Sequence, residues 1–154
     1  MMRILLTTCF FVYSSWLFAG EDFASAGAAD AVLGDWATPE NKSKVNIYSC
    51  GDRYCGKIVW LKEPLFEKGH AKAGQTKVDD KNPDAGLRMR PIQGLELMRD
   101  FRFDGDNEWE DGKIYDPENG KTYSCKMTLE NNNILKVRGY IGFSLLGRTS
   151  IWTR

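Results

Sequence analysis

The sequence predicts an all-β fold, an eight-stranded antiparallel up-and-down barrel with one long inserted loop. Three observations indicate this class. Short runs of alternating apolar and polar residues recur along the chain, which is the pattern of half-buried strands. Turn residues separate successive runs, and no helical period continues for more than about two turns. Eight strands joined by sequential hairpins can close into a barrel, which leaves no exposed sheet edge. A two-sheet sandwich is the alternative architecture.

The hairpin turns carry the residue types that tight turns need. They lie at residues 104–107, 116–120 and 131–133, and they are rich in Asp, Asn and Gly, with one Pro. Asn, Asp and Gly tolerate a positive φ and Pro fixes its own φ, so each segment is suited to reverse the chain. The predicted strands cover about residues 32–38, 44–50, 55–61, 95–103, 107–115, 121–129, 134–141 and 147–154.

One connection, from Lys62 to Gly94, is much longer than the others. A structureless connection of this length is uncommon in a compact domain, so we expect it to be functional, partly helical or disordered. Residues 67–77 have the Gly, Ala and Lys content of a solvated loop. The Arg-Pro part that follows is expected to be ordered, with Leu87, Ile92 and Leu95 packed inward.

The first residues have the pattern of a secretory signal peptide. Arg3 precedes an uncharged apolar run over residues 4–18, and the small residues Ala24-Ser25-Ala26 follow. The run is too short to span a bilayer as a helix. We predict cleavage after Ala26, with Ala28 as a second possible point. Residues 1–26 would then be the signal and 27–154 the mature domain, periplasmic or secreted. An uncleaved anchor and a lipid-modified Cys9 are the alternatives.

Cys50 and Cys55 flank an expected four-residue turn, residues 51–54, between two predicted strands. If Cys50 lies opposite Cys55, then Val45 lies opposite Trp60, and the apolar side chains share the face that the cysteines avoid. An exported protein meets oxidising conditions, so a structural Cys50–Cys55 disulfide is expected rather than a redox or metal site. Cys125 alternates with apolar residues and is predicted to be a buried core thiol.

Composition excludes several functions. Basic and acidic residues both number 21, so the formal net charge is zero, and a nucleic-acid partner normally needs a basic face. His70 is the single histidine, which excludes a multi-histidine metal centre and argues against a Ser-His-Asp triad. The carboxylates fit turns or exposed strand faces rather than catalytic pairs. We therefore expect no enzyme activity and no cofactor.

Several motifs carry a family resemblance. They are residues 34–36, 50–56, 81–83, 90–94, 112–123, 137–140 and 147–154. Through these segments the chain is similar to a family of secreted bacterial proteins, domain of unknown function 2147, over nearly all of the mature domain. The resemblance implies a lipocalin-like (calycin) barrel with no established activity.

Gly34-Asp-Trp36 on the first strand also resembles the lipocalin Gly-x-Trp signature. In lipocalins that tryptophan closes the barrel base against a basic side chain of the last strand. The resemblance implies the same role for Trp36 with Arg148 or Arg154 as the partner. A guanidinium stacks well on an indole face, so the pairing is also reasonable on physical grounds. The alternative is that Trp36 is ordinary core filler.

A barrel of eight strands is wide enough to be filled by side chains or to enclose one small ligand. The leading prediction is therefore a protein that binds a small, mostly apolar molecule in or at the mouth of the barrel. The side chains predicted to point inward are Val45, Ile47, Ile58, Trp60, Tyr123, Met127, Leu129, Leu135 and Val137. Among these, Trp60, Tyr123 and Met127 are candidate ligand contacts.

Arg88 and Arg90 in the long connection are candidate clamps for an anionic group of the ligand. The alternative is that salt bridges to Asp79, Asp80 or Asp84 fix the loop. A different function altogether is a structural or interaction protein of the envelope, in which the 62–94 segment docks another protein. The sequence does not determine the ligand or the oligomeric state.

Overall fold

Alternating segments of the chain form eight strands in the computed structural model, which describes residues 27–154. Each predicted strand is present, with bounds within two residues of those expected from the sequence. Short 3₁₀ turns occur at Asp30–Val32, Pro39–Asn41, Ala85–Leu87 and Ser144–Leu146. The strands are β1 (Gly34–Ala37), β2 (Ser43–Cys50), β3 (Arg53–Leu61), β4 (Glu96–Gly105), β5 (Glu108–Asp116), β6 (Lys121–Asn131), β7 (Ile134–Tyr140) and β8 (Arg148–Thr153).

Each strand pairs antiparallel with the next, and β8 returns to β1 to close the barrel. The closing contact is short and joins Ala37 to Thr153. The predicted all-β up-and-down barrel is therefore confirmed, and the sandwich alternative is wrong. Because β1 and β8 pair, neither of them is a fully open sheet edge. Open edges can pair with other chains, so closure protects the sheet from aggregation.

The antiparallel order gives the barrel two different ends. The base carries the N-terminal segment 27–33, the tight turns after β2, β4 and β6, and the C-terminal Arg154. The mouth carries the segments after β1, β3, β5 and β7. The 62–94 segment and the loop 141–147 therefore both lie at the mouth.

Large side chains fill the interior. Trp36 and Trp109 are completely buried, and Trp109 donates a hydrogen bond from Nε1 to the Ala29 carbonyl at 3.2 Å. The ring of Phe101 lies where a Cβ on Gly112 would be, only 2.3 Å from the nearest ring carbons, so glycine is required there. The other fully buried hydrophobic side chains are Val32, Val45, Ile47, Met98, Cys125, Met127 and Leu135.

The β2–β3 hairpin contains the predicted disulfide but not the predicted register. Cys50 and Cys55 are bonded, with their Cα atoms 5.9 Å apart. Cys50 lies opposite Arg53 and Cys55 lies opposite Tyr48, so the two cysteines are diagonal rather than direct neighbours. The turn is two residues long and begins at Gly51, whose φ is +77°. A two-residue turn with positive φ suits the twist of a hairpin better than the four-residue turn that we expected.

A β-bulge makes the prediction for Trp60 wrong. Val45 pairs with Ile58, but Lys44 pairs with Trp60, so Val59 is an extra residue in β3. The extra residue reverses the alternation beyond it. Trp60 therefore lies on the outer surface, where 41% of it is exposed, and does not point into the barrel.

The 62–94 segment is ordered by its own backbone contacts. Isolated bridges join Leu65 to Thr76 and Val78 to Pro91. Residues 67–77 form compact turns between them, with hydrogen bonds in both directions between Phe66 and residues 74–75. Ile92 and Leu95 are buried as expected. Leu87 is 40% exposed, so its predicted inward packing is wrong, because it ends a 3₁₀ turn that lies on the surface.

The predicted signal peptide, residues 1–26, and its cleavage point lie outside the described residues. No helix among residues 27–154 has the length and apolar character needed to span a bilayer.

Candidate ligand site at the barrel mouth

A buried carboxylate anchors the 62–94 segment. Asp79 is completely buried. Its Oδ1 accepts a hydrogen bond from the Tyr115 hydroxyl at 2.6 Å, and its Oδ2 accepts one from Asn82 Nδ2 at 2.7 Å. Arg90 donates from Nε and Nη2 to the same Oδ2, at 2.9 and 2.8 Å. A buried charge is tolerated when it is paired and hydrogen-bonded in this way.

The same cluster ties the segment to the barrel wall. Tyr115 belongs to β5, and the Arg90 guanidinium lies over its ring, 5.6 Å from the centroid. Burial and the hydrogen bond to Asp79 raise the pKa of Tyr115 to about 12. The phenol therefore remains a hydrogen-bond donor above pH 10, where an ordinary tyrosine loses its proton.

The turn between β5 and β6 supplies a second anchor. Lys81 Nζ donates a hydrogen bond to the Glu118 carbonyl at 2.8 Å. Gly120, with a φ of +71°, lies so close to the segment that a Cβ would be 2.1 Å from the Lys81 carbonyl oxygen. Two motifs that are distant in sequence, 81–83 and 116–120, thus form one contact.

Between the anchored segment and the barrel lies an open cleft of about 910 Å³, which we call the mouth cleft. This volume is within the range of about 300–1,000 Å³ that is typical of small-molecule sites. The floor and walls include six apolar side chains, and the rim carries charges of both signs. The apolar members are Ile58, Leu61, Phe66, Val78, Ile92 and Leu97, and the lysines are Lys42, Lys62, Lys68, Lys77 and Lys81.

His70 lies at the rim of the mouth cleft in a fixed orientation. Its ring stacks on Phe66 with a centroid separation of 4.1 Å. Nδ1 accepts a hydrogen bond from the Lys72 amide at 3.1 Å, so the remaining ring proton is on Nε2, which lies 3.5 Å from Asp80 Oδ2. These contacts hold the imidazole ring in one orientation at the rim of the cleft.

The side chains predicted to bind ligand do not line the mouth cleft. Trp60 lies on the outer wall. Met127 is completely buried in the filled part of the barrel. Tyr123 is half-buried, and its hydroxyl accepts a hydrogen bond from Asn119 at 3.1 Å. None of the three lies against the mouth cleft, so their role as ligand contacts stays a prediction.

Arg88 and Arg90 also have contacts within the protein. Arg90 binds Asp79, and Arg88 Nε donates to the Asn82 carbonyl at 2.7 Å. The arginines thus fix the loop, as in the alternative that we considered, with Asp79 as the carboxylate. Neither arginine lines the mouth cleft, and the Arg90 guanidinium is already paired with Asp79.

At the opposite end, Arg154 closes the base. Its guanidinium lies over the Trp36 ring at 4.2 Å from the centroid. It also donates to the carbonyls of Asn132, Leu33 and Ala31 at 2.5, 2.8 and 3.0 Å. Arg148 is exposed near the mouth end of β8, opposite Gly139, far along the strand from Trp36. Of the two candidate partners, the structure places Arg154 against Trp36.

Cys125 is a buried core thiol, as the sequence predicts. Burial raises the pKa of the Cys125 thiol to about 12, so it is not an activated nucleophile. Among residues 27–154, no group of three His, Cys, Asp or Glu side chains is arranged to hold a metal ion.

The residues that line the mouth cleft were mostly missed by sequence reasoning. Ile58 and Ile92 were predicted to point inward, but the lysines and Phe66 looked like ordinary loop residues. A partial signal existed in the Asp79 and Arg90 pair, which was considered as a loop-fixing contact. The cleft itself arises from contacts between segments far apart in sequence, which no local pattern encodes.

The chain forms a closed eight-stranded meander with a filled base, a Trp–Arg contact at that base and an open mouth. Its fold is therefore that of a lipocalin-like barrel. The chain belongs to the family described as an uncharacterized protein conserved in bacteria (DUF2147), which it matches over residues 34–154. No curated protein matches the sequence.

A solved structure shares the fold. Protein HP1028 from the human pathogen Helicobacter pylori, described as belonging to the lipocalin family, superimposes with a TM-score of 0.67. The two sequences are 23% identical over 80% of this chain and 82% of that one. At this level of identity the similarity establishes the fold.

Proposed function

We propose that this protein is an exported binding protein that holds one small, mostly apolar molecule in the mouth cleft. The observation that carries the proposal is the contrast between the two ends of the barrel. The base is filled by large side chains, whereas the mouth has a cleft of about 910 Å³ that is lined by both apolar and charged side chains. Small-molecule sites likewise combine apolar side chains with placed polar groups.

The polar rim favours a ligand with at least one ionised or hydrogen-bonding group. Lys77 lies 3.9 Å from Glu63, but Lys62 and Lys68 have no carboxylate within 4 Å among residues 27–154. Ammonium groups of this kind can donate hydrogen bonds to an anionic head group while the body of the ligand covers Ile58 and Ile92. No step of covalent chemistry is part of the proposal.

Native mass spectrometry of protein purified without denaturation tests retention of a ligand directly. We expect one bound small molecule per chain, lost after denaturation and refolding. The refolded protein should then bind the fluorescent probe 8-anilinonaphthalene-1-sulfonate, which has an apolar body and one negative charge.

A matched pair of variants assigns the binding to the cleft. Leu61, the last residue of β3, lines the mouth cleft, whereas Leu65, four residues further on, does not. Leu61→Trp should fill part of the cleft and lower probe affinity by about tenfold, since one large apolar contact is worth about 1–3 kcal/mol. Leu65→Trp should leave the affinity unchanged. Equal affinities for both variants would contradict the assignment.

Export is part of the proposal and has its own test. The Cys50–Cys55 disulfide is consistent with an oxidising compartment. Intact mass of the protein recovered from the periplasm or medium should show a chain that begins at Gly27. A mass that retains residues 1–26 would contradict the predicted cleavage.

The second candidate is an envelope interaction protein that uses the 62–94 segment. The observation that favours it is the exposure of Leu65, Leu87 and Met89 on that segment. Absence of any retained small molecule, together with unchanged probe binding in Leu61→Trp, would support this candidate over the binding protein.

A further inference from the structure

The loop that joins β7 to β8 displays an unusual amount of apolar surface. Ile141, Phe143, Leu145 and Leu146 are 69%, 80%, 88% and 80% exposed. Single exposed apolar residues are normal, but four large ones within six positions form a patch. None of them lines the mouth cleft, so the ligand site does not explain them.

The loop is held in its projecting form rather than left loose. Arg138 donates from Nε to the Ser144 carbonyl at 2.8 Å, and from Nη2 to the Leu145 carbonyl at 3.2 Å. Its Nη1 donates to Thr149 Oγ1 at 2.8 Å. Gly147 packs so closely on β7 that a Cβ would be 2.6 Å from the Gly139 carbonyl oxygen. The backbone is therefore fixed while the apolar side chains point to water.

The charged residues that flank the loop in sequence are basic. Arg138 precedes the loop and Arg148 follows it, and from Asn131 to Arg154 the chain contains no Asp or Glu. Arg148 adjoins the loop and is exposed, and among residues 27–154 it has no carboxylate within 4 Å. A projecting apolar tip beside a free guanidinium combines the two features of an interfacial membrane anchor.

We propose that the loop 141–147 inserts into the interface of an anionic phospholipid bilayer, with Arg148 on the head-group phosphates. A second copy of the chain suits this surface less well. A two-fold contact through the tip would bring Arg148 of both copies together, and a tip of four side chains is small beside the area of a stable interface, about 1,200–2,000 Å². Anionic lipid complements the basic flank instead.

This attachment goes beyond the proposed ligand binding and does not depend on it. Because the loop lies at the mouth end of the barrel, membrane contact brings the mouth cleft to the bilayer surface. A single loop gives weak and reversible attachment, which increases with the anionic lipid content.

Flotation with vesicles tests the proposal, with the exported protein used after its N-terminus has been established by intact mass. We expect binding to vesicles with 40% phosphatidylglycerol, roughly the anionic content at which basic residues near a surface contribute strongly, and little binding to pure phosphatidylcholine. The double variant Phe143→Ser/Leu145→Ser should lower partitioning by about tenfold or more. Arg148→Glu should lower it by about fivefold or more, and only on anionic vesicles.

Matched controls lie on the same protein. Met89→Ser removes a side chain that is 71% exposed in the other mouth segment, and Arg99→Glu reverses an exposed charge on the wall. Both should bind vesicles as the wild type does. Equal loss in Met89→Ser and in the loop variant, or no vesicle binding by the wild type, would overturn the proposal.

A labelled variant reports on insertion itself. Ser144→Cys carries an environment-sensitive nitrobenzoxadiazole group, while Cys125 is buried and unreactive in the folded protein. Emission should shift to the blue when anionic vesicles are added. A shift caused by raising the protein concentration without lipid would identify a second copy as the occupant and overturn the proposal.

Discussion

Arg154 is the residue on which the base of the barrel depends most. Its guanidinium joins the C-terminus to the Trp36 ring, to the β6–β7 turn and to the N-terminal segment. Trp36 in turn donates from Nε1 to the Val32 carbonyl at 2.8 Å. Residues more than 100 positions apart in sequence are thus fixed together where the strands would otherwise separate.

Removing that guanidinium should destabilise the fold without changing the mouth. We expect Arg154→Ala to lower the free energy of unfolding by about 1–3 kcal/mol, from lost charged hydrogen bonds and the lost cation–π contact. Trp36→Ala should cost about 3–5 kcal/mol, because it leaves a large cavity. Urea denaturation measures both. Arg148→Ala, at the mouth end of β8, is the control and should change little; an equal loss there would contradict the assignment of Arg154.

Two tyrosines, Tyr54 in the core and the partly buried Tyr115, make stability depend on alkaline pH. Burial, and then hydrogen bonds to Asp30 and Asp79, raise the pKa of Tyr54 and Tyr115 from 10.0 to about 12. The unfolded chain therefore loses these protons first, so their contribution to stability is complete below pH 10 and is lost as the pH rises to about 12. The urea midpoint should fall over this window, and less steeply in Tyr54→Phe. A midpoint that is the same at pH 9 and pH 11.5 would argue against this coupling.

At the scale of elements, the β2–β3 hairpin is constrained by its disulfide. The bond closes a loop between residues only five positions apart, so its effect on the unfolded chain is limited. We expect the double variant Cys50→Ser/Cys55→Ser to lose about 2 kcal/mol and to keep its circular dichroism spectrum. Thermal denaturation of the two proteins provides the comparison. A variant that fails to form the β-sheet would mean that the bond is needed for folding rather than only for stability.

The 62–94 segment depends on its contact with the β5–β6 turn. Gly120→Ala would place a Cβ 2.1 Å from the Lys81 carbonyl oxygen, whereas Gly51→Ala meets nothing within 4 Å. Both glycines have positive φ, so both variants carry a similar backbone penalty of about 1–2 kcal/mol. Urea denaturation gives the free energy of unfolding of each variant. The additional loss of this free energy in Gly120→Ala measures the contact between the β5–β6 turn and the 62–94 segment.

Limited trypsin digestion provides a second measurement of the same contact. The segment is rich in lysine, so undocking exposes cleavage sites between residues 62 and 81. Gly120→Ala should be cleaved there faster than Gly51→Ala. Equal cleavage rates would show that the turn does not hold the segment.

At the scale of the whole molecule, the strands were predictable and the site was not. Alternation and turn chemistry are local, so all eight strands were found from the sequence. The extra residue Val59, by contrast, is visible only once β2 and β3 are paired, and it turned Trp60 outward. The mouth cleft depends on Asp79, Tyr115 and Gly120 meeting across the fold, which local sequence cannot show.

The central claim is that the barrel is filled at its base and holds a small molecule at its mouth. A high-resolution crystal structure of the exported protein, purified without denaturation, tests this claim most directly. The account predicts electron density for one small molecule against Ile58 and Ile92, under the 62–94 segment. Ligand density deep in the base, between Trp36 and Met127, or a mouth closed by repacked side chains, would contradict it.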